Sequence, residues 1–359
     1  METSATMKPL SRRLTMKRML LASVLCIVSY SYYYSSHISN SDKELSEQSR
    51  RQLGISVWAR DYFKPLSTAP HENEKETTLY WHLPKSGGST AKSIYRCMNL
   101  TIASRLDPKV SRINEKKLIA FEPYGERGGS FVNVDMTTRG GIRRAGRMGL
   151  VPSGKADILF VMDPAFAGDL LFDRQHKGRI LCLFRHPIQR LESKFYYLQK
   201  ASWEKTYRPD WADISILDWA QKENKENNVM VKKLAGLRFN DIATETELRL
   251  AMRIIEKRFV VGLTDSMKES IRRFNIVMNI DLTSQRNRRC MNRFFGHGSL
   301  KTNSNTHPKL EPGSPAWEVL AQDNALDIKL YEYILYLFDQ QKEVIDSYAT
   351  SFNELGILH

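Results

Sequence analysis

Trp81-His82-Leu83-Pro84-Lys85-Ser86-Gly87-Gly88-Ser89-Thr90-Ala91-Lys92-Ser93 joins a short apolar run to a helical pattern through a stretch rich in glycine and hydroxyl groups. Two adjacent glycines permit positive φ and bring successive backbone N–H groups close to one anion. The helix that follows aims the positive end of its dipole at the same point. Lys85 adds a mobile full charge, Ser89 and Thr90 add hydroxyl donors, and Ser86, Gly87 and Gly88 complete the loop. The stretch predicts a phosphate cradle. The standard nucleoside triphosphate loop, Gly-x-x-x-x-Gly-Lys-Ser/Thr, carries its lysine after the glycines. Here Lys85 comes before them, an inversion that points away from ATP and towards another phosphate-bearing ligand.

A second anion-binding pattern lies about a hundred residues on. Arg179-Ile180-Leu181-Cys182-Leu183-Phe184 has the length and apolar density of a buried parallel strand. It runs into Arg185-His186-Pro187, and Pro187 suits a first helical position, so strand gives way to helix directly after Arg185. Ser193 falls inside that helix, where side chains lean back towards the N-terminus. An arginine at a strand end and a serine on the following helix are placed to share one phosphate.

The order Pro84-Lys85-Ser86-Gly87-Gly88-Ser89-Thr90 resembles the 5′-phosphosulfate loop of the Golgi-type carbohydrate sulfotransferases, P-loop sulfotransferases that use 3′-phosphoadenosine 5′-phosphosulfate (PAPS). Arg185 followed eight positions later by Ser193 is similar to the family's 3′-phosphate motif, usually Arg-Asp-Pro-x-x-Arg-x-x-Ser, with His186 where aspartate is usual. Lys301-Thr302-Asn303-Ser304-Asn305-Thr306-His307-Pro308 is similar to the loop that folds over the adenosine, which implies nucleotide contacts from Lys301 and Thr306. The strand Phe259-Val260-Val261-Gly262-Leu263 runs into a helix start where Ser266 and Glu269 have capping-box spacing. The resemblance spans roughly residues 79 to 347, and its first two motifs are the specific ones. It implies sulfuryl transfer from PAPS to a carbohydrate hydroxyl by in-line displacement, with no metal, and with Lys85 stabilising the departing phosphate.

The base that takes the acceptor's proton is less legible. In the family it is often a histidine just after the strand that precedes the 3′-phosphate motif. In this chain Asp163 holds that place, in Met162-Asp163-Pro164. Asp163 is either a base or simply the cap of the helix that Pro164 begins. His176 and Glu122 are the fallback bases.

Apolar runs at 79–83, 158–162, 180–184 and 259–263 alternate with helical patterns at 91–100, 188–200, 245–257 and 323–347. In the third helix Leu248, Ala251, Met252 and Ile255 form an i, i+3, i+4, i+7 stripe. This alternation predicts an α/β fold with a doubly wound parallel sheet and ligands at the strand C-termini. The tyrosine stripe of the last helix reads as core.

No charged residue occurs between Met19 and Ser41, while Lys8, Arg12, Arg13, Lys17 and Arg18 precede that run and Tyr30, Tyr32, Tyr33 and Tyr34 lie within it. The expected organisation is a cytosolic basic tail at 1–18, a membrane anchor at 19–39, a stem at 40–77 and a lumenal catalytic domain at 78–359. A cleaved signal peptide is the rival reading and leaves the same domain in the lumen. By the resemblance, the address is the Golgi membrane. In a lumen, Asn99-Leu100-Thr101 becomes a candidate glycosylation site, and Cys97 and Cys290 become candidates for pairing.

The chain of 359 residues, 42% hydrophobic, suffices for one sizeable core plus tails. A net charge of +14 suits a doubly phosphorylated donor and an anionic acceptor. No zinc-finger spacing or aromatic RNA-binding signature accompanies that charge, which argues against a nucleic-acid partner. Arg139, Arg143, Arg144 and Arg147, interleaved with glycines, read as a basic loop that either grips an anionic glycan or is only a charged surface. Trp203, Tyr207 and Trp211 either stack on sugar faces or pack a lid. Two alternatives stand beside the transferase: a nucleotide-binding glycan-recognition protein that has lost catalysis, and a P-loop kinase using ATP. The sequence does not define an oligomeric state.

Overall fold

The apolar runs of the sequence form four adjacent strands of one seven-stranded sheet, from its centre out to one edge. Its strands are β1 (Thr78–Trp81), β2 (Ile102–Ser104), β3 (Ala120–Phe121), β4 (Phe131–Asp135), β5 (Ile158–Val161), β6 (Arg179–Phe184) and β7 (Phe259–Leu263). They lie in the order β3-β4-β2-β5-β1-β6-β7. All neighbours run parallel except β3, which pairs antiparallel with β4 at the edge. The longer helices are α1 (Gly88–Cys97), α2 (Arg139–Arg147), α3 (Pro164–Leu171), α4 (Pro187–Leu198), α5 (Glu245–Arg258), α6 (Met267–Val277), α7 (Gln285–Phe295), α8 (Pro315–Asp323) and α9 (Ala325–Glu354).

This computed structural model describes residues 59, 61–70, 76–106, 108–111, 114–122, 129–222, 226–296 and 307–354. The expected tail (1–18), anchor (19–39), most of the stem (40–77), Lys301 and Thr306 lie outside the described residues. Among the described residues no helix is long and apolar enough to cross a membrane.

Every residue of β1, β5, β6 and β7 is buried, as parallel strands covered on both faces require. Tyr80, Phe160, Leu181, Leu183 and Val260 face a cluster with Ala91, Ile94 and Tyr95 of α1 and Ile271 and Phe274 of α6. On the other face Trp81 meets Phe184 and Phe259 edge-on. The chain leaves β1 towards β2, beyond β5, and leaves β6 towards β7 on the opposite side. Adjacent strands whose onward connections diverge in this way open a crevice at their C-terminal ends. That crevice lies between the loop after β1 and the turn after β6.

Several expectations need correction. Strands β2, β3 and β4 were not marked by apolar runs. Asn133 interrupts β4 in sequence, yet it is buried and satisfied, accepting from Ile119 N at 2.8 Å and donating to Lys117 O at 3.0 Å. The last predicted helix, 323–347, is α9, and α8, which the sequence did not announce, precedes it and ends at buried Asn324. Asn228 Oδ1 then caps α9, accepting from Leu326 N and Asp327 N at 3.0 Å each. Of the tyrosine stripe, Tyr331 and Tyr333 are buried and Tyr336 is exposed. Ser266 occupies an N-cap, but its side chain makes no cap bond, and Glu269 turns to Arg272 and Arg273 instead.

The supposed basic loop is helix α2. Thr138 caps it, its side chain accepting from Gly141 N at 3.1 Å. Two of its glycines serve close packing: a Cβ on Gly141 would overlap Asp135 O, and one on Gly146 would lie 2.8 Å from Leu170 O of α3.

Cys97, at the end of α1, pairs with Cys290 of α7, with Cα atoms 5.8 Å apart, and Cys182 stays free and buried in β6. The bridge closes a loop of 193 residues. Cross-links of this kind contribute about 2–5 kcal/mol. Cys97→Ala in the full chain is expected to lower the urea midpoint accordingly and to abolish any further effect of a reductant. A wild-type midpoint that ignores reductant would refute the bridge.

Candidate functional site

The loop after β1 begins in the centre of the sheet, because β1 is paired on both sides, with β5 and with β6. His82 N extends the ladder by donating to Val161 O at 2.7 Å, and Ser86 N closes a turn on Leu83 O at 3.3 Å. Two left-handed residues then bracket Ser86: Lys85 at φ 66° and Gly87 at φ 81°. A Cβ on Gly87 would overlap Met267 Cε, and one on Gly88 would sit 2.5 Å from His82 Cδ2. Gly87 is the N-cap of α1, with no capping side chain and no acidic residue in the first turn. The first amides of α1 therefore keep their positive end for an anion. Ser86 is buried, and its Oγ has no hydrogen-bond partner. An orphaned hydroxyl between two positive-φ residues fits a loop built around a guest.

Arg185 emerges from β6 beside this loop, and its Nη1 donates to Lys85 O at 3.2 Å. Burial lowers its pKa, an effect that Glu192, Asp265 and Tyr331 oppose. Thr264, just past β7, adds a third tie: its Oγ1 lies 3.2 Å from Ser86 O and 3.1 Å from Phe184 O. The ends of β1, β6 and β7 are thus sewn together around the cradle.

Pro187 opens α4, as expected, and Ser193 is buried within it. His186, at the aspartate position of the family motif, makes no cap bond. Its ring instead stacks on Trp317, with centroids 5.1 Å apart, and meets Tyr331 edge-on. Burial lowers its pKa, and its Nδ1 has no partner. Beside Ser193, Glu192 accepts from Leu310 N at 2.9 Å and lies 3.4 Å from His307 Nδ1. His307 also stacks on Tyr196 at 4.8 Å. The chain that leaves segment 301–306 is therefore docked on α4.

Across the mouth, Lys85 Nζ lies 3.7 Å above the ring centroid of Tyr197. Burial first, and Arg185 second, lower the Lys85 pKa to about 8, with Glu204 opposing. Tyr197 OH donates to Glu204 Oε1 at 3.0 Å and accepts from Trp203 Nε1 at 3.2 Å. Arg105, following β2, donates from Nη1 to Glu204 Oε2 at 2.8 Å. Beneath the loop, burial and then Lys92 push His82 down to about 4, so its ring is neutral at physiological pH.

Asp163 ends β5 and caps α3, accepting from Phe166 N at 3.3 Å. Its other oxygen lies 3.1 Å from Arg139 Nη2 and 3.6 Å from Lys233 Nζ. Of the two readings left open by the sequence, the cap is the one this geometry realises. His176 sits before β6 and is tied to Asp173. Glu122 follows the antiparallel strand β3, whose Phe121 pairs with Phe131 at the start of β4. Both fallback bases are therefore at the N-terminal edge of the sheet, opposite the cradle. Trp211 packs between Phe195 and Trp219, whereas Trp203 and Tyr207 are exposed.

The structure adds Tyr197, Glu204, Arg105 and His82, none of which the sequence reading assigned a role. Glu204 lies in an ordinary polar stretch, Ser202-Trp203-Glu204-Lys205, whose only signal is an exposed-type tryptophan beside a carboxylate. Two open hollows, about 390 Å³ beside Lys64 and Arg174 and about 340 Å³ beside Lys232 and Asp241, contain none of these groups. No family model matches the chain, and no curated protein matches it.

Two outcomes test the cradle. Gly87→Ala places a side chain at positive φ and against Met267, and should destabilise the full chain by about 1–3 kcal/mol in a urea titration. Free Lys85 carries its charge below about pH 8 and loses it above. Binding of a phosphate-bearing ligand that needs this charge should therefore be strongest below pH 8 and weaken by up to about tenfold per pH unit above it. Lys85→Arg should move that limb upward in a titration calorimeter.

Proposed function

We propose that this chain is a PAPS-dependent sulfotransferase that sulfates a hydroxyl of a carbohydrate, built on a doubly wound P-loop sulfotransferase fold. The observation that carries the reading is the Arg185 Nη1 to Lys85 O bond of 3.2 Å. It brings two anion-binding patterns, a hundred residues apart, to one crevice at the ends of neighbouring strands. A single cradle serves any phosphate. A cradle with an arginine beside it, and a buried serine on the helix that follows that arginine, suits a nucleotide phosphorylated at both its 5′ and 3′ positions.

The residues present fit that ligand. Lys85, Ser86, Gly87, Gly88, Ser89 and Thr90 would hold the 5′ end, and Arg185 and Ser193 the 3′-phosphate, with Lys301 and Thr306 assigned by the resemblance alone. PAPS, when bound, supplies the sulfuryl group on its 5′-phosphate. Lys85 and the amides at the start of α1 are positioned to meet charge building on the phosphate oxygen, preorganised stabilisation that acts most strongly in a water-poor crevice. Arg185 fixes the loop from below through the Lys85 carbonyl, so the ammonium and the second anion site are held in one frame.

The cellular address follows from the same reading. The uncharged run after the basic tail supports a single-pass Golgi anchor with the catalytic domain in the lumen. The Cys97–Cys290 bridge suits an oxidising compartment. Asn99 is exposed at the end of α1, so a glycan in the Asn99-Leu100-Thr101 sequence meets no burial there. The engagement of Asp163 as a cap favours one second reading, a glycan-recognition protein that binds the nucleotide without turnover.

Thermal unfolding of the full chain separates these cases. 3′-Phosphoadenosine 5′-phosphate at a hundredfold over its dissociation constant should add about 2.7 kcal/mol, with AMP and ATP giving much less. Arg185→Ala should remove the effect. A shift with ATP and none with the 3′-phosphorylated nucleotide would replace the transferase with the kinase. PAPS binding with no transfer to any glycan would favour the recognition protein.

A further inference from the structure

The turn after α4 presents a large aromatic surface to water at the mouth of the crevice. Trp203 is 67% exposed, although it is firmly held. Its Nε1 donates to Tyr197 OH, and its carbonyl lies 3.5 Å from Arg105 Nη2. Successive backbone bonds fix the segment: Ser202 N to Lys200 O, Glu204 N to Ala201 O, and Tyr207 N to Glu204 O, all between 2.9 and 3.0 Å. An indole whose N–H is satisfied and whose face is left bare is suited to an apolar sugar face. Glu204 is its neighbour in sequence. One of its oxygens takes the Tyr197 hydroxyl and the other the Arg105 guanidinium. The ring of that same tyrosine carries the Lys85 ammonium. A single tyrosine therefore spaces an ammonium from a carboxylate, with the platform beside them.

In-line transfer asks for this spacing. Charge leaves on the Lys85 side of sulfur, and the hydroxyl attacks from the opposite side, where a base must stand. Asp163 caps α3 and faces Arg139 and Lys233 rather than Lys85. His176 and Glu122 are on the wrong edge of the sheet. Glu204 faces the Lys85 ammonium across the Tyr197 ring.

We infer that Trp203 and Glu204 form the acceptor subsite, the indole carrying one face of a sugar ring and the carboxylate taking the proton of its attacking hydroxyl. The inference rests on the sulfuryl transfer proposed above. The acceptor oxygen forms the new bond to sulfur, and the bond from sulfur to the 5′-phosphate oxygen breaks. Its electron pair stays on that oxygen beside Lys85, and the hydroxyl proton passes to Glu204. Tyr197 and Arg105 are positioning residues, which aim the carboxylate.

The test is transfer of labelled sulfate from PAPS by the full chain to a printed glycan array, followed by kinetics on the best acceptor found. Glu204→Gln should lower kcat about 10²- to 10⁴-fold, while stabilisation by 3′-phosphoadenosine 5′-phosphate stays at the wild-type level. Trp203→Ala should act mainly on KM, with partial rescue in Trp203→Phe. Wild-type kcat in Glu204→Gln, or loss of kcat in Asp163→Asn with Glu204→Gln intact, would overturn the assignment. Stabilisation by the 3′-phosphorylated nucleotide with no transfer to any glycan also overturns it. Absence of nucleotide binding overturns instead the reading on which it rests.

Discussion

Everything at the crevice depends on β1 and β6 being hydrogen-bonded neighbours whose chains leave in opposite directions. Because Thr78 pairs with Arg179 and Tyr80 with Leu181, β6, which continues to Phe184, runs past the end of β1 and alongside the loop that follows it. Arg185 then reaches the Lys85 carbonyl without any intervening element. Had another strand been inserted between them, the glycine loop and the arginine would be separated by the roughly 5 Å width of an extra strand. The bond is modest in energy, of the order of 1 kcal/mol for a charge-assisted contact that is not fully enclosed. Its importance is geometric, since it converts two local patterns into one site.

The periphery supports this frame through polar groups in unexpected places. Asn228 ties down the break between α8 and α9, its N donating to Asn324 Oδ1 and its Nδ2 to Asp323 O, each at 3.1 Å. Asp327 accepts from Met230 N and Val231 N at 3.0 and 2.9 Å, and burial pushes its pKa up to about 6. Arg190 of α4 is fully buried against Glu226, which also binds Lys194 at 2.6 Å. Burial opposes ionisation of Glu226, but the two cations prevail and hold its pKa down to about 2. This buried ion pair anchors the helix that carries Ser193.

The half of the sheet from β5 to β7 was legible because β1, β5, β6 and β7 are buried throughout and read as unbroken apolar runs. The 259–263 strand was bounded to the residue. The other half was not legible: Asn133, for one, breaks the pattern of β4, and its amide bonds to chain 14 and 16 residues away in sequence. The same logic governs the site. Lys85 and Arg185 announce themselves because local sequence builds their loops. Tyr197 and Glu204 do not, because only the fold brings the end of α4 and the turn after it to the mouth. Glycines misled at α2, where Gly146 serves close packing against α3 and not flexibility. The glycine-proximal arginines are consequently helical, and Arg139 and Arg143 lie over Phe166 at 4.7 and 5.2 Å.

Lys85 adopts φ 66°, a backbone region that glycine occupies freely and a lysine occupies under strain of order 1 kcal/mol or more. Its ammonium is also partly withdrawn from water. Both penalties would vanish with glycine at position 85, and so would the charge in the crevice. At this residue, robustness and chemistry therefore pull in opposite directions. A lineage of this chain drifting without need of its ligand should accumulate glycine here and gain thermal tolerance, whereas one that retains lysine carries a standing handicap that only use of the crevice can justify.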